Sequence, residues 1–203
     1  MSCAHDSSDR STGCSAPERP YPPPVRVIAG SAKGRRLVDV PEGVRPVSDR
    51  VREGLFSSLG DRVEGAHVLD LYAGTGALGI EALSRGAADA MFVDRDRRSV
   101  ATIRQNLART GFEDRAQVIR EEVVRALEGS EGAFELVFVD PPYDADPADV
   151  ERALAKLSAK DLLRAGFTVA VTRGRRSSTL VIPVDWSPAR RLAYGDSVVT
   201  LFR

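Results

Sequence analysis

No stretch of the 203-residue sequence holds about 18 consecutive apolar residues, so it offers no candidate membrane span. The first 24 residues, MSCAHDSSDRSTGCSAPERPYPPP, lack the apolar core of a signal peptide, which argues against export. Their Ser, Asp and Pro content reads instead as a disordered leader over residues 1–24. Cysteine is scarce: Cys3 and Cys14 are the two in the chain, and both lie in that leader. A disulfide there would staple nothing, and no CxxC or Cys/His cluster offers zinc ligands. Two free thiols in a reducing cytoplasm are expected, with no metal. No internal repeat is visible, and 29 Lys and Arg are matched by 29 Asp and Glu. What is present is an ordinary soluble composition, 42% hydrophobic and 29% charged, long enough for one α/β domain with a small appendage.

The balanced charge is unevenly spread. Between Arg26 and Arg52 stand Arg26, Lys33, Arg35, Arg36, Arg45, Arg50 and Arg52, against Asp39, Glu42 and Asp49. A second cluster, Arg173, Arg175, Arg176, Arg190 and Arg191, encloses a single acid, Asp185. Two basic patches on a neutral chain point to a local anionic partner rather than to general stickiness.

Residues 25–29 and 35–40 read as two short strands joined by a Gly/Lys turn, a β-hairpin. A helix follows, with Ser48 or Asp49 as N-cap, Val51, Leu55, Phe56 and Leu59 as its apolar face, and Gly60 at its end. From residue 66 strands alternate with helices: HVLDLY, helix 77–85, strand 89–93, helix 96–110, AQVIRE, helix 121–128, FELVFVD, helix 147–157 and FTVAVT. STLVIPV (178–184) and SVVTLFR (197–203) read as closing strands separated by a turn at Gly195–Asp196. This alternation predicts an α/β, doubly wound, mostly parallel sheet with one antiparallel strand near an edge. Ligands bind such sheets at the carboxyl ends of the strands.

The unusual residues fall at those ends. DLYAGTGALG places Gly74, Gly76 and Gly79 directly after a strand and at the opening of a helix. Gly74 permits the tight turn, Gly76 lets a ligand approach the backbone, and Gly79 allows the helix close to the sheet. Asp94 ends the next strand, where a carboxylate can accept both hydroxyls of a ribose; a dinucleotide and S-adenosylmethionine are both admissible. Asp70 favours the latter, because an acid here would repel a pyrophosphate and attract a methionine ammonium. Glu121 and Glu122, after the third strand, could take an adenine amino group. No residue is placed for hydride chemistry. Tyr72 and Thr75, within the loop, join the expected cofactor-binding set.

FELVFVDPPY ends a strand at an acid, two prolines and a ring. An exocyclic amine on a nucleobase is a weak nucleophile because its lone pair is delocalised. Two acceptors on its N–H bonds would favour the pyramidal geometry needed to attack a sulfonium methyl. Asp140 can supply a carboxylate oxygen and Pro141 a carbonyl, held stiffly because Pro141 and Pro142 have fixed φ. Tyr143 can stack on the base. Catalysis would then be positioning and electrostatic stabilisation.

Taken together, VLDLYAGTGALGIEAL, VDRD and VDPPY resemble class I S-adenosylmethionine-dependent methyltransferases that act on amines. RVIAGSAKGRRL, RPVSDRVREGLF, DLYAGTGALGIEALSRGA and YGDSVVTLF are similar to the bacterial small-subunit (16S) rRNA guanine-N2 methyltransferases, over about residues 25–203. The resemblance implies a seven-stranded Rossmann-like sheet at 63–203, a basic RNA-contacting extension at 25–62, and a guanine 2-amino group as acceptor. Asp70, Tyr72, Gly74, Thr75, Gly76, Asp94 and Glu122 would hold S-adenosylmethionine. Asp140, Pro141, Pro142 and Tyr143 would form the catalytic loop. Arg26, Lys33, Arg35, Arg36, Arg45 and Arg50 would grip RNA. The expected partner is ribosomal RNA or the small subunit, met by a cytoplasmic monomer without membrane or metal. Alternatives are another nucleic-acid amine such as DNA adenine-N6, a protein glutamine amide, a catalytically silent RNA-binding assembly factor, and a nicotinamide oxidoreductase.

Overall fold

The computed structural model describes residues 25–38, 48–130, 132–159 and 161–203. The leader at 1–24, the end of the second hairpin strand at 39–40, and Arg45 lie outside the described residues. Helix α1 (Asp49–Leu59) begins where the Ser48 hydroxyl accepts the amide of Val51, and Val51, Leu55, Phe56 and Leu59 are its buried face. The alternating part then runs β1 (His67–Leu71), α2 (Ala77–Ser84), β2 (Asp89–Asp94), α3 (Arg97–Thr110), β3 (Ala116–Arg120), α4 (Val123–Gly129), β4 (Phe134–Val139), α5 (Pro147–Ala159) and β5 (Leu163–Gly174). Strands β6 (Pro188–Tyr194) and β7 (Ser197–Phe202) close the chain.

The seven strands form one sheet in the order β3-β2-β1-β4-β5-β7-β6. Neighbours from β3 to β5 pair in parallel, and β7 runs antiparallel to both β5 and β6. One apolar cluster, on the face covered by α1, α2 and α3, includes Phe56, Ile80, Phe92 and Phe138. The other, under α4 and α5, includes Leu71, Val137, Leu154 and Trp186. Central strands β1 and β4 are buried on both faces, so they read as continuous apolar runs.

One expected strand is misplaced. Residues 178–184 form no strand; the edge position is taken by β6, PARRLAY, two residues from β7. In 178–184, Leu180 and Ile182 pack inward while Val181 and Val184 are exposed, and the Pro183 carbonyl accepts the Trp186 amide in a turn. Apolar alternation there reflects a loop lying on the core. In β6 the inward residues are Leu192 and Tyr194, and Arg190 and Arg191 are exposed.

The hairpin is narrower than expected, a single antiparallel bridge between Arg26 and Arg36 flanked by Val27–Arg35, Gly34–Val27 and Leu37–Val25 backbone bonds. It is docked on α2. Glu81, fully buried, accepts the amides of Ile28 (2.7 Å) and Ala29 (3.0 Å), and Ser84 Oγ donates to the Ala29 carbonyl and accepts from the Ala32 amide. Arg52, counted among the basic surface residues from sequence, is also fully buried. It bonds Asp49 and the Arg26 carbonyl, each at 2.7 Å, and stands 3.8 Å from Glu81. Val25, Val27, Ala32 and Leu37 complete the docking by joining the first apolar cluster.

Two glycines of this hairpin, both with positive φ, separate strain from space. A Cβ at Gly30 would stand 1.8 Å from the Ser84 carbonyl oxygen, whereas one at Gly34 would meet nothing within 4 Å. Gly34→Ala is therefore expected to cost about 1 kcal/mol from backbone strain alone. Gly30→Ala should cost roughly 2–4 kcal/mol, because overpacking against backbone adds to the strain. Urea unfolding of the two variants checks this, and equal losses would contradict the docking described.

Candidate active site

The segment between β1 and α2 turns on three residues with positive φ, Tyr72 (59°), Gly74 (56°) and Gly76 (75°). Carboxylates hold it in place. Asp94 accepts the Gly74 amide with one oxygen and the Asp96 amide with the other, both at 2.8 Å. Asp70, buried in β1, accepts the Gly79 amide at 2.9 Å, satisfying a first-turn donor of α2. Gly79 is glycine for space, since a Cβ there would lie 2.3 Å from the Phe92 ring. Asn106 of α3, fully buried, donates to the Thr75 carbonyl (2.9 Å) and accepts the Val38 amide (2.6 Å), so the extension and the loop share one side chain.

The second part lies at the end of β4. The Asp140 amide reaches the Leu71 carbonyl of β1 at 3.4 Å, which sets the diproline beside the glycine loop. Burial pushes the Asp140 carboxyl from 3.8 up to about 6, against a hydrogen bond from Thr172 that works the other way. Burial likewise raises Asp94, and raises Asp70 well above the ordinary carboxylate range, where the nearby charges of Asp140 and Asp94 add to it. The Tyr143 ring, half exposed, lies over the backbone of Gly174, where a Cβ would meet it at 3.1 Å; its hydroxyl bonds Ser197 Oγ at 2.9 Å.

Asp70, Tyr72, Gly74, Thr75, Asp94, Asp140, Tyr143, Thr172 and Ser197 line one cleft of about 960 Å³, whereas Gly76, Gly79 and Asn106 stand behind its lining. Its described lining holds nine carboxylates (Asp70, Asp94, Asp96, Glu122, Asp140, Asp144, Asp146, Asp149, Asp196) and two arginines (Arg50, Arg95), a strong bias toward a cationic ligand. Tyr72 projects from the loop with its hydroxyl buried and unpartnered, its acidity weakened to about 12 by burial and then by Glu122 and Asp149. Glu122 lines the cleft and also caps α4 through the Arg125 amide; Glu121 is not part of the lining and bonds the Glu122 amide. Pro141 and Pro142 line it as well.

Of the basic residues, Arg50 lines the cleft, and Arg26, Lys33, Arg35 and Arg36 are exposed. Arg26 pairs with Asp49 at 3.3 Å and Arg35 donates to the Arg109 carbonyl at 2.6 Å. Thr172, Ser197, Tyr194 and Asn106 escaped the sequence reading. Thr172, Ser197 and Asn106 act through partners from distant elements, and although Tyr194 and Ser197 stand in YGDSVVTLF nothing local marks their roles.

Several known proteins are similar to this chain. The family described as Conserved hypothetical protein 95 matches residues 25–203. Ribosomal RNA small subunit methyltransferase D of Escherichia coli K12 is 34% identical over 181 residues, covering 88% of this chain and 89% of its own. Its Haemophilus influenzae namesake is 34% identical over 167 residues, covering 80% and 85%. The solved structure of a candidate methyltransferase from Escherichia coli, yhhF, superposes with a TM-score of 0.78 at 32% identity, covering 88% of this chain and 96% of that one.

The raised Asp140 value has a consequence for stability. Because the folded value lies above the unfolded one, folding favours the protonated acid; the associated stability is whole below about pH 4 and is lost as pH rises through about 6. Asp140→Asn, which cannot ionise, should be more stable than wild type by roughly 1–3 kcal/mol at pH 8 and equal to it near pH 3.5. Urea unfolding at the two pH values decides; no gain at pH 8 would mean that the carboxylate is not held at a cost.

Proposed function

The chain belongs to the Conserved hypothetical protein 95 family, and from that membership we propose that it methylates ribosomal RNA of the small subunit. The methyl group comes from S-adenosylmethionine, and the acceptor is the exocyclic N2 amine of a guanine on an assembled or assembling particle in the cytoplasm. The observation that carries this reading is the junction of β1 and β4, where Asp140 and the diproline open into the same acid-lined cleft as the glycine loop. The class I sheet and the names of the curated relatives support it.

The residues present fit that cofactor. Nine cleft carboxylates favour a cationic sulfonium over an anionic dinucleotide. The buried Tyr72 hydroxyl still lacks a partner. Asp94 would receive the ribose hydroxyls, Glu122 the adenine side and Asp70 the amino-acid end, with Gly74 and Thr75 supplying backbone and Gly76 the turn into α2 behind them. The chemistry this cofactor supplies when bound is an electrophilic methyl group.

The chain's own residues do the rest. The Asp140 carboxylate and the Pro141 carbonyl accept the two N–H bonds of the amine and turn its lone pair out of conjugation. They also stabilise the positive charge that develops on nitrogen. Once methylated the nitrogen becomes acidic, and Asp140, near pH 6, can receive its proton and pass it to solvent. Tyr143 stacks on the base, a contact worth about 1–3 kcal/mol. Lys33, Arg36 and Arg50, with Arg26, Arg35 and Arg45 of the same extension, neutralise phosphates around it.

The ionised form of Asp140 is the acceptor, so kcat/KM should fall as pH drops below about 6 in the wild type. In Asp140→Asn the turnover left should be flat over that range. Asp140→Ala should lower kcat about 100-fold or more while cofactor affinity changes little; near-normal turnover would falsify the mechanism. The reading as a whole is tested by transfer of labelled methyl groups to small subunits lacking the modification, followed by mapping of the labelled nucleotide. A label on guanine N2 is expected; a label on adenine, or on protein, would overturn the acceptor assignment.

A further inference from the structure

The second arginine cluster, which the proposed function leaves without a role, is divided by the fold. Arg190 and Arg191 lie on the edge strand β6, while Arg173, Arg175 and Arg176 stand at the cleft end of β5. There the Ser177 amide bonds the Gly174 carbonyl at 3.0 Å, closing a turn whose two central residues are Arg175 and Arg176. Both side chains are exposed. The Arg175 amide donates to the carbonyl of Asp196 at 2.7 Å, and Asp196 lines the cleft. Gly174, the first residue of the turn, is the one beneath the Tyr143 ring. Arg173 lies just behind, its Nε buried and without a hydrogen-bond partner. Among the described residues, none of the three forms an ion pair.

The cleft gives this turn its meaning. A nucleotide carries a phosphate on each side of its base, and nine carboxylates line the space the base must enter. Phosphates are repelled from that interior, so the backbone has to stay outside while the base alone goes in, and its charge must be met at the mouth. Arg50 meets it on the α1 side. On the side of the stacking ring, the β5 turn sets Arg175 and Arg176, without ion pairs among the described residues, beside Asp196 and Tyr143 of the lining.

We propose that Arg175 and Arg176, backed by Arg173, form a second phosphate-gripping rim that holds the nucleic-acid backbone next to the base stacked on Tyr143. The assignment rests on the reading of the cleft as a nucleobase amino-methyltransferase site. Its ligand is the phosphodiester backbone flanking the target. Asp196 holds its backbone carbonyl toward the Arg175 amide, which orients the turn. Two guanidinium groups on adjacent turn residues suit two successive phosphates, where bidentate donors are strongest.

The test uses the full-length protein and two double variants, Arg175→Ala with Arg176→Ala and Arg175→Lys with Arg176→Lys. Binding to deproteinised small-subunit RNA and to small subunits lacking the modification is measured between 50 and 250 mM KCl, with S-adenosylhomocysteine affinity as the control. For the alanine pair, the slope of log K against log [salt] should shrink by about 1.5, the value for two lost phosphate contacts. Its kcat/KM should fall about tenfold through KM, with kcat and S-adenosylhomocysteine affinity kept. The lysine pair should retain the slope, which loss of turn structure would not allow. An unchanged slope in the alanine pair, where wild type shows one, would overturn the rim and leave the enzyme reading intact. Loss confined to assembled subunits would reassign the arginines to a protein contact and also overturn it. Wild type that neither binds nor methylates RNA would bring down the enzyme reading itself, and the rim with it.

Discussion

A single buried carboxylate holds this structure's two halves together. Glu81 sits on α2 with no solvent exposure, and it accepts two backbone amides of the N-terminal hairpin and the Arg85 guanidinium at 2.7 Å. Arg52, equally buried, comes from α1 to share its charge. An isolated carboxylate there would be expensive, and the cost is offset because amides and guanidinium groups from three segments converge on it. The hairpin and α1 therefore behave as part of the domain. Since Ser48, Arg50 and Val51 at the start of α1 form one wall of the cleft, Glu81 supports that wall through Arg52.

The same economy recurs around the glycine loop. Asp70 and Asp94 each hold a backbone amide of the loop or of the helix it opens, and both are pushed toward protonation by burial. A cationic ligand relieves what burial imposes, so the free cleft is arranged to gain from positive charge. Asn106 adds a link between the loop and the residue before the segment 39–47, through Thr75 and Val38. Two segments far apart in the chain are thus joined through one side chain.

How much of this could be read from residues alone depended on whether a feature is local. Glycines at 74, 76 and 79, the acid closing β2 and the diproline after β4 leave marks in the sequence, because each constrains its own backbone. The central strands β1 and β4, buried on both faces, are legible as apolar runs for the same reason. Strand β6 was not, since an edge strand is chosen by its pairing with β7 and needs little apolar content; the more apolar 178–184 took its place in the reading. Arg52 was read as a surface cation because a charge count carries no burial. Thr172 and Ser197 were invisible because Asp140 and Tyr143, which they touch, are about 30 and 54 residues away.

The placement of β6 also bears on how the molecule avoids its own kind. An open sheet ends in a row of unpaired amides and carbonyls, a template on which a second chain could add a strand. Here that border begins at Pro188, which has no amide to offer, shifts register between Pro188 and Arg190, and carries the exposed Arg190 and Arg191. Two like charges at each approaching border repel, and the irregular start denies a partner its first bonds. The arginines of β6 thus act as guards against aggregation at the sheet's last strand.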